Sequence, residues 1–453
     1  MRFRNFINGS FEDASGSLDI VDPATGLVYA TSPCSSASDV DVACSAALRA
    51  FGTWSRTTPA QRQLALLRLA ISLEDNAAAI VAAECRDTGK PAQLFRADEL
   101  PAIIDTLRFF AGAARNLPGP AAGEYADGFT SMLRREPLGV CAQIVPWNYP
   151  LMMAVWKMAP AIAAGNTVVL KPADTTPASA LLLAELAAEH LPPGVFNVVC
   201  GDRGTGRALV AHPAPRLIAL TGSVRAGLEV AASAGLKRTH LELGGNAPVI
   251  VWDDVDVVET ATALAGVAFY NAGQDCTAAT RFLVHQRVHD TFVPALRAAV
   301  SQLKAGVDFG PVNNRAQWAA VRELAGLPST PSGPGFWMDP VVVTGCRQSD
   351  ELVRREIFGP VATVQQFASE EEALTLANGV DFGLAASVWT RDHGRAMRAF
   401  KTLDTGIVWI NTHGTTVSEM PHGGVKSSGH GSDLALTSLL EYTRVKHAMS
   451  ALS

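Results

Sequence analysis

Residues 140–200 read VCAQIVPWNYPLMMAVWKMAPAIAAGNTVVLKPADTTPASALLLAELAAEHLPPGVFNVVC. VCAQIV, TVVLK and VFNVVC are short apolar runs, too short for helices and rich in valine, so they predict buried strands. LMMAVWKMAPAIAAG and PASALLLAELAAEHL lie between them with helical length and composition. Strand–helix–strand alternation of this kind means a parallel sheet with crossover helices. The alternation continues with a short helix in GTGRALVAHP, a strand in RLIALTG, a helix in VRAGLEVAASAG and a strand in PVIVW. Ligands of such sheets sit outside the carboxyl ends of the strands.

Working outward, residues 36–116 predict three helices: SASDVDVACSAALRAF, RQLALLRLAISLEDNAAAIVAAECRDTGK and ELPAIIDTLRFFAGAAR. The Gly/Pro/Ala-rich stretch 117–127 reads as a boundary. TSMLRREPLGVCAQIV then predicts two extended segments split near Glu136-Pro137. A second α/β block starts near 255, with a long helix, the strand RFLVHQ, another helix, and strands near 341, 361, 386 and 407. Residues 326–340 are turn-rich, and LEYTRVKHAMS suits an exposed edge strand.

The 453 residues suggest two or three domains. Forty-eight per cent are hydrophobic and 18% charged, enough for a sizeable core and unlike a disordered chain. A net charge of −6 argues against a nucleic-acid binder. Seven cysteines, an odd number with no CxxC pair, argue against a disulfide framework or a structural metal site and fit a reducing cytoplasm. The N-terminal stretch lacks the apolar core of a secretory signal, and no apolar run reaches the roughly 20 residues of a membrane span.

Several residues invite a chemical reading. Cys276 lies in NAGQDCTAATR, in a polar, turn-like context unlike the apolar runs around Cys141 and Cys200. A thiol in a turn is exposed to backbone amides and can be a nucleophile, although most cysteines are structural. Glu242, in THLELGGNAPVIV, is a carboxylate in an apolar strand. Desolvation raises such an acid toward the range of a useful base; a strand-end ion pair is the other reading. In VPWNYP, Asn148 can donate its amide to an oxyanion or cap the following helix, and Trp147 and Tyr149 can wall a pocket. Thr221-Gly222-Ser223, with Gly227 behind it, follows a strand and opens a helix, which turns N–H groups toward a pyrophosphate. Lys171 and Asp174 sit at the end of TVVLK, within reach of a ribose.

The ordered set PWNYP, KPADTTP, LTGSVRAG, LELGGNAP, NAGQDCTAATR, EIFGP and MPHGGVKSSGHG resembles the aldehyde dehydrogenase superfamily, over essentially the whole chain. FRADELPAIIDTLRFFAGAAR, YPLMMAVWKMAPAIAAGN and SEMPHGGVKSSGHG look most like bacterial 4-aminobutyraldehyde dehydrogenases. The resemblance implies an α/β fold. A Rossmann-like domain would span about 1–127 and 143–244, and a catalytic domain 245–432. A β oligomerisation extension would come from 128–142 and 433–453. It implies NAD as cofactor, a small aldehyde as substrate, no metal, and a homodimer or homotetramer. Cys276 would attack the aldehyde. Asn148 and the Cys276 amide would hold the oxyanion, and Glu242 would activate water. Lys171 and Asp174 would bind the adenosine ribose, and Ser223 the pyrophosphate. Trp147, Thr221, Gly222, Gly227 and Leu243 would line the cofactor site, and Glu356 and Phe358 would hold the nicotinamide end. Glu99 and Asp275, with Tyr149 and Trp156, would form an acidic, aromatic box for an ammonium group. Departures are Asn246, where the family usually has lysine, Asp174 in place of a glutamate, and a shortened stretch from 305 to 340.

Overall fold

A computed structural model describes residues 1–117, 122–328 and 333–452. The predicted boundary and the turn-rich stretch therefore lie partly outside the described residues, at 118–121 and 329–332.

Two doubly wound sheets carry the fold. The first has eight strands, in the order Ser10–Glu12, Asn5–Ile7, Phe196–Val198, Thr167–Lys171, Val140–Ile144, Pro215–Thr221, Arg238–Glu242 and Gly429–His430. Its five inner strands run parallel, and the flanking pairings are antiparallel. The chain winds outward in one direction from Val140–Ile144 through Thr167–Lys171 to Phe196–Val198. It then returns to start the other direction at Pro215–Thr221. Between Ile144 and Thr221 the strand order reverses, which opens a crevice at the carboxyl ends. Pro146-Trp147-Asn148 leaves one side of that crevice, and Gly222-Ser223 leaves the other.

The second sheet has six parallel strands, in the order Val341–Thr344, Val361–Phe367, Arg281–His285, Pro248–Val251, Ala385–Trp389 and Ile407–Ile410. Its apolar strands are buried on both faces, as helix-covered parallel strands must be. A three-stranded antiparallel sheet joins Gly123–Ala126, Phe129–Pro137 and Thr443–Ala451. Tyr125, Met132, Val445 and Met449 are exposed along it.

Two local details differ from the sequence reading. The expected border at 142/143 cuts the strand Val140–Ile144, which lies in the middle of the first sheet. This segment of the extension therefore ends before residue 140. Helix Ala435–Glu441, expected in the extension, packs on Pro150–Ala164 and Leu100–Ala113 instead, with Leu439 and Tyr442 in the large core. Lys157 and Pro160 interrupt the apolar run of the sequence but not the helix Pro150–Ala164. Lys157 is fully buried there, its Nζ 2.8 Å from Asp433 Oδ2. Among the described residues no helix is long and apolar enough to cross a membrane.

Candidate active site

The crevice of the first sheet and the loops of the second share one cavity of about 910 Å³. The nucleophile candidate enters it from a loop that the chain builds at some conformational cost. Helix Val257–Phe269 ends in a short 3-10 turn, and Asn271, Ala272 and Gly273 follow one another with φ of 50°, 55° and 68°. Left-handed backbone at non-glycine residues persists only where surrounding contacts over-determine it. Those contacts are present. Asn271 Nδ2 donates to the carbonyls of Asn148 at 3.1 Å and Gln274 at 3.2 Å. Gln274 Nε2 donates to Asn271 O and Pro311 O, and Gln274 Oε1 accepts from Asn313 N at 2.8 Å. A side chain at Gly273 would run into the carbonyl of Gly359. Gln274 and Asn271 escaped the sequence reading because neither is a reactive type; their flanking of Cys276 was the available signal.

Cys276 is partly buried and lines the cavity. Burial first, then the carboxylates of Asp275, Glu356 and Glu242, hold its thiol well above the usual range. These effects outweigh what the backbone amides of the turn offer a thiolate. Asn148 does not cap the helix after it: the capping position is Tyr149, without a side-chain bond, and Pro150 opens the helix. The Asn148 amide instead donates to Gln274 O at 3.0 Å, which leaves its second N–H for the cavity.

Glu242 ends the strand Arg238–Glu242, is 3% exposed, and lines the same cavity. Neither carboxylate oxygen has a hydrogen bond. The nearest cation candidate is His422 Nδ1, 3.7 Å from Oε2. Burial raises the Glu242 carboxyl above its ordinary range, with His422 opposing. The segment that carries His422 folds back onto this strand: Gly429 pairs with Glu242, and Leu243 N donates to Ser428 O at 3.0 Å.

On the cofactor side the cavity is lined by Trp147, Thr221, Gly222, Ser223, Leu243, Glu356 and Phe358. Ser223 caps helix Val224–Ser233 with its hydroxyl, so the following N–H groups face the crevice. Thr221 Oγ1 is buried without a partner. Glu356 Oε1 accepts from Gly245 N at 2.8 Å, and burial lifts its carboxyl to about 7. Phe358, at φ 53°, sets its ring edge against Trp147 with centroids 5.3 Å apart. Asn246 Nδ2 donates to Val353 O at 2.7 Å and so braces the segment that delivers Glu356.

Lys171, Asp174 and Gly227 do not line this cavity. Lys171 ends a strand two places along the sheet from Pro215–Thr221, and its Nζ donates to Pro172 O at 2.9 Å. Asp174 is exposed beside it. A Cβ on Gly227 would collide with Leu243, so that glycine serves close helix–strand packing.

The expected ammonium box comes together only in part. Glu99, Tyr149, Trp156 and Asp275 all line the cavity. Glu99, however, is not a free counter-charge: Lys90 Nζ lies 2.8 and 2.7 Å from its two oxygens, and both side chains are buried. The same ammonium sits 3.8 Å from the Tyr149 ring centroid and occupies that face. Asp275 accepts from Tyr149 Oη at 2.7 Å and from Thr277 N and Oγ1. Trp156 packs against the His422 ring, centroids 5.1 Å apart. Lys90 closes the second predicted helix, outside the family motifs, and nothing in that position signalled its pairing with Glu99.

His413 was also missed. Its Nε2 lies 2.6 Å from Thr277 O, its Nδ1 lies 2.8 Å from Ser387 Oγ, and burial lowers it to about 4. A neutral ring donating to Thr277 O pins the residue after the nucleophile.

A crevice at the strand ends of one sheet, facing a second sheet that presents a thiol, fits a cofactor-dependent oxidoreductase. The chain belongs to the aldehyde dehydrogenase family, whose model matches residues 11–448. An NAD-dependent aldehyde dehydrogenase from Sinorhizobium meliloti matches with a TM-score of 0.97 at 33% identity, over 100% of this chain and 95% of that one. A betaine aldehyde dehydrogenase from Staphylococcus aureus, in complex with NAD+, matches with a TM-score of 0.95 at 32% identity, over 99% and 94%. An indole-3-acetaldehyde dehydrogenase of P. syringae, in complex with NAD+ and IAA, matches with a TM-score of 0.96 at 33% identity, over 99% and 96%.

Proposed function

We propose that the protein oxidises a small cationic aminoaldehyde, with 4-aminobutanal as the best fit, to the free amino acid with NAD. The observation that carries the reaction type is the convergence of Cys276, Asn148 and Glu242 on one cavity. The residues present fit the cofactor: the crevice offers the capped helix start at Ser223, the unpartnered Thr221 hydroxyl, and Glu356 and Phe358 beside the thiol. Lys171 and Asp174 would take the adenosine ribose farther along the sheet edge. When bound, NAD accepts the hydride from the substrate carbon.

Cys276 gives up its thiol proton to solvent at the cavity, Sγ forms a bond to the aldehyde carbon, and the carbonyl electron pair moves to oxygen. The free Asn148 N–H and the Cys276 backbone N–H receive that charge. After oxidation the acyl group is a thioester on Cys276. Glu242 takes a proton from water as the water oxygen bonds to the acyl carbon. Collapse breaks the C–S bond and releases the acid, and the departing sulfur takes back the proton that Glu242 holds, which restores both the thiol and the carboxylate. A buried carboxylate with no hydrogen-bond partner suits this task, because an ordered partner would compete with water for its lone pairs.

The cationic substrate is supported by the balance of charge at the cavity. Asp98, one residue before the neutralised Glu99, lines it with an exposed carboxylate that has no ion pair or hydrogen bond among the described residues. Asp275 adds a second negative charge, and Trp147 and Trp156 supply aromatic wall. Asp98 thus takes the counter-charge role expected of Glu99. Betaine aldehyde, also cationic, is the second reading, favoured by the likeness to the Staphylococcus aureus enzyme; a plain aliphatic aldehyde is the third. The exposed apolar residues of the three-stranded sheet support assembly as a homodimer or homotetramer. NADH formation with 4-aminobutanal, betaine aldehyde and hexanal tests the reading. Highest kcat/KM for 4-aminobutanal is expected; a preference for hexanal overturns the cationic assignment.

A further inference from the structure

We infer that His422 is a positioning residue for water activation: its imidazole, held against Glu242 by Trp156, keeps the carboxylate available as a base. The inference rests on Glu242 being the base of the proposed reaction. His422 is 8% exposed and lies in a segment tied down at both ends, by His422 N to Asp433 O at 2.9 Å and by the Gly429 pairing to Glu242. Its ring packs on Trp156 at 5.1 Å, which turns Nδ1 toward Glu242 Oε2 at 3.7 Å. Among the described residues Nδ1 has no hydrogen-bond partner, and neither has either Glu242 oxygen. Two buried, under-bonded, oppositely charging groups facing each other across that gap form a pair whose electrostatic coupling is strong because water is excluded.

The neighbours on every side fix the sign of the effect. Glu242 shares its strand with His240, which lies 3.2 Å from Asp433 Oδ1 and 2.8 Å from Glu441 Oε2. Lys157, on the helix that carries Trp156, pairs with Asp433. Asp275 faces His422 from the nucleophile loop. Asp433 is thus neutralised by Lys157 and His240, and Glu242 is left with His422 as its own close cationic partner. Burial pushes Glu242 toward the protonated, inactive form. His422 opposes that push, and both groups stand above their ordinary ranges. The positive end of that pair favours the ionised carboxylate.

Removing the imidazole leaves burial unopposed, so the base is protonated to higher pH. In His422→Phe, which keeps a ring against Trp156, the acidic limb of kcat should move up by about one pH unit. At neutral pH kcat should fall about tenfold, while the pre-steady-state burst of NADH keeps its amplitude. His422→Asn, smaller and also uncharged, should shift the limb the same way; a purely packing role would lower activity at all pH without moving it. A readout independent of turnover is the 13C-histidine NMR titration of the apoenzyme, with the His422 signal assigned by its loss in His422→Phe. Its midpoint should fall in Glu242→Gln. Should His422→Phe misfold, His422→Asn and that titration decide. An unmoved limb, or a His422 midpoint unchanged by Glu242→Gln, overturns the inference while the base assignment stands. Normal turnover by Glu242→Gln overturns the base assignment itself, and this inference with it.

Discussion

The two halves of the site are built in opposite ways. On the side of Cys276 the polar side chains of Asn271, Gln274, Asp275 and Thr277 are tied: Asn271 and Gln274 hold carbonyls, Asp275 holds Thr277 and Tyr149, and His413 holds Thr277 O. On the base side both Glu242 oxygens and His422 Nδ1 are buried with no hydrogen bond. An over-determined loop fixes one reacting atom within a few tenths of an ångström, as attack geometry demands. An under-bonded carboxylate leaves room and lone pairs for a water molecule. In the proposed reaction, rigidity sits where a bond to carbon would form, and unsatisfied polarity sits where a proton would be taken.

That contrast can be broken from either end. The largest effect is expected for Cys276→Ala, which should lower NADH formation by roughly four orders of magnitude or more while NAD binding persists; calorimetric titration and steady-state assays check both parts. Glu242→Gln should come next. It leaves the loop intact and should give a single burst of NADH followed by turnover reduced roughly 100-fold to 1000-fold, measured by stopped flow. A normal steady state would place the base elsewhere.

Loosening the tied side should cost less. Gln274→Ala removes bonds to Asn271 O, Pro311 O and Asn313 N. It should lower kcat/KM roughly tenfold to 100-fold and shrink the burst, because misplacing the thiol slows the first bond. A full burst with slow turnover would show that the loop serves deacylation instead.

The pH profile reports on both sides together. The Cys276 thiol and the Glu242 carboxyl both stand above their ordinary ranges. Each works deprotonated, so activity should rise with pH through neutrality toward the alkaline side. His413, lowered to about 4, stays neutral across that range. His413→Asn should therefore reduce activity without shifting either limb. The smallest effect is expected for Asp98→Asn, an exposed charge. KM for 4-aminobutanal should rise a few-fold, with hexanal nearly unchanged. Equal changes for both substrates would remove Asp98 from substrate recognition.

Much of this was legible in the chain. Valine-rich runs bounded by helical spacing determined both parallel sheets, since a strand covered on both faces has only apolar choices. Cys276, Glu242 and Asn148 stood out because each is a reactive type in an unusual local context. What the tertiary structure decided is where charge is spent. Lys90 lies 9 residues before Glu99 and cancels it, which moves the free acid at the cavity to Asp98. Asp433 meets Lys157 across 276 residues, and His422 meets Glu242 across 180. A buried charge is defined by its partner, and partners are chosen by the three-dimensional path of the chain. Sequence spacing records periodicity and local conformation; it holds no record of which carboxylate is paired and which is left open for chemistry.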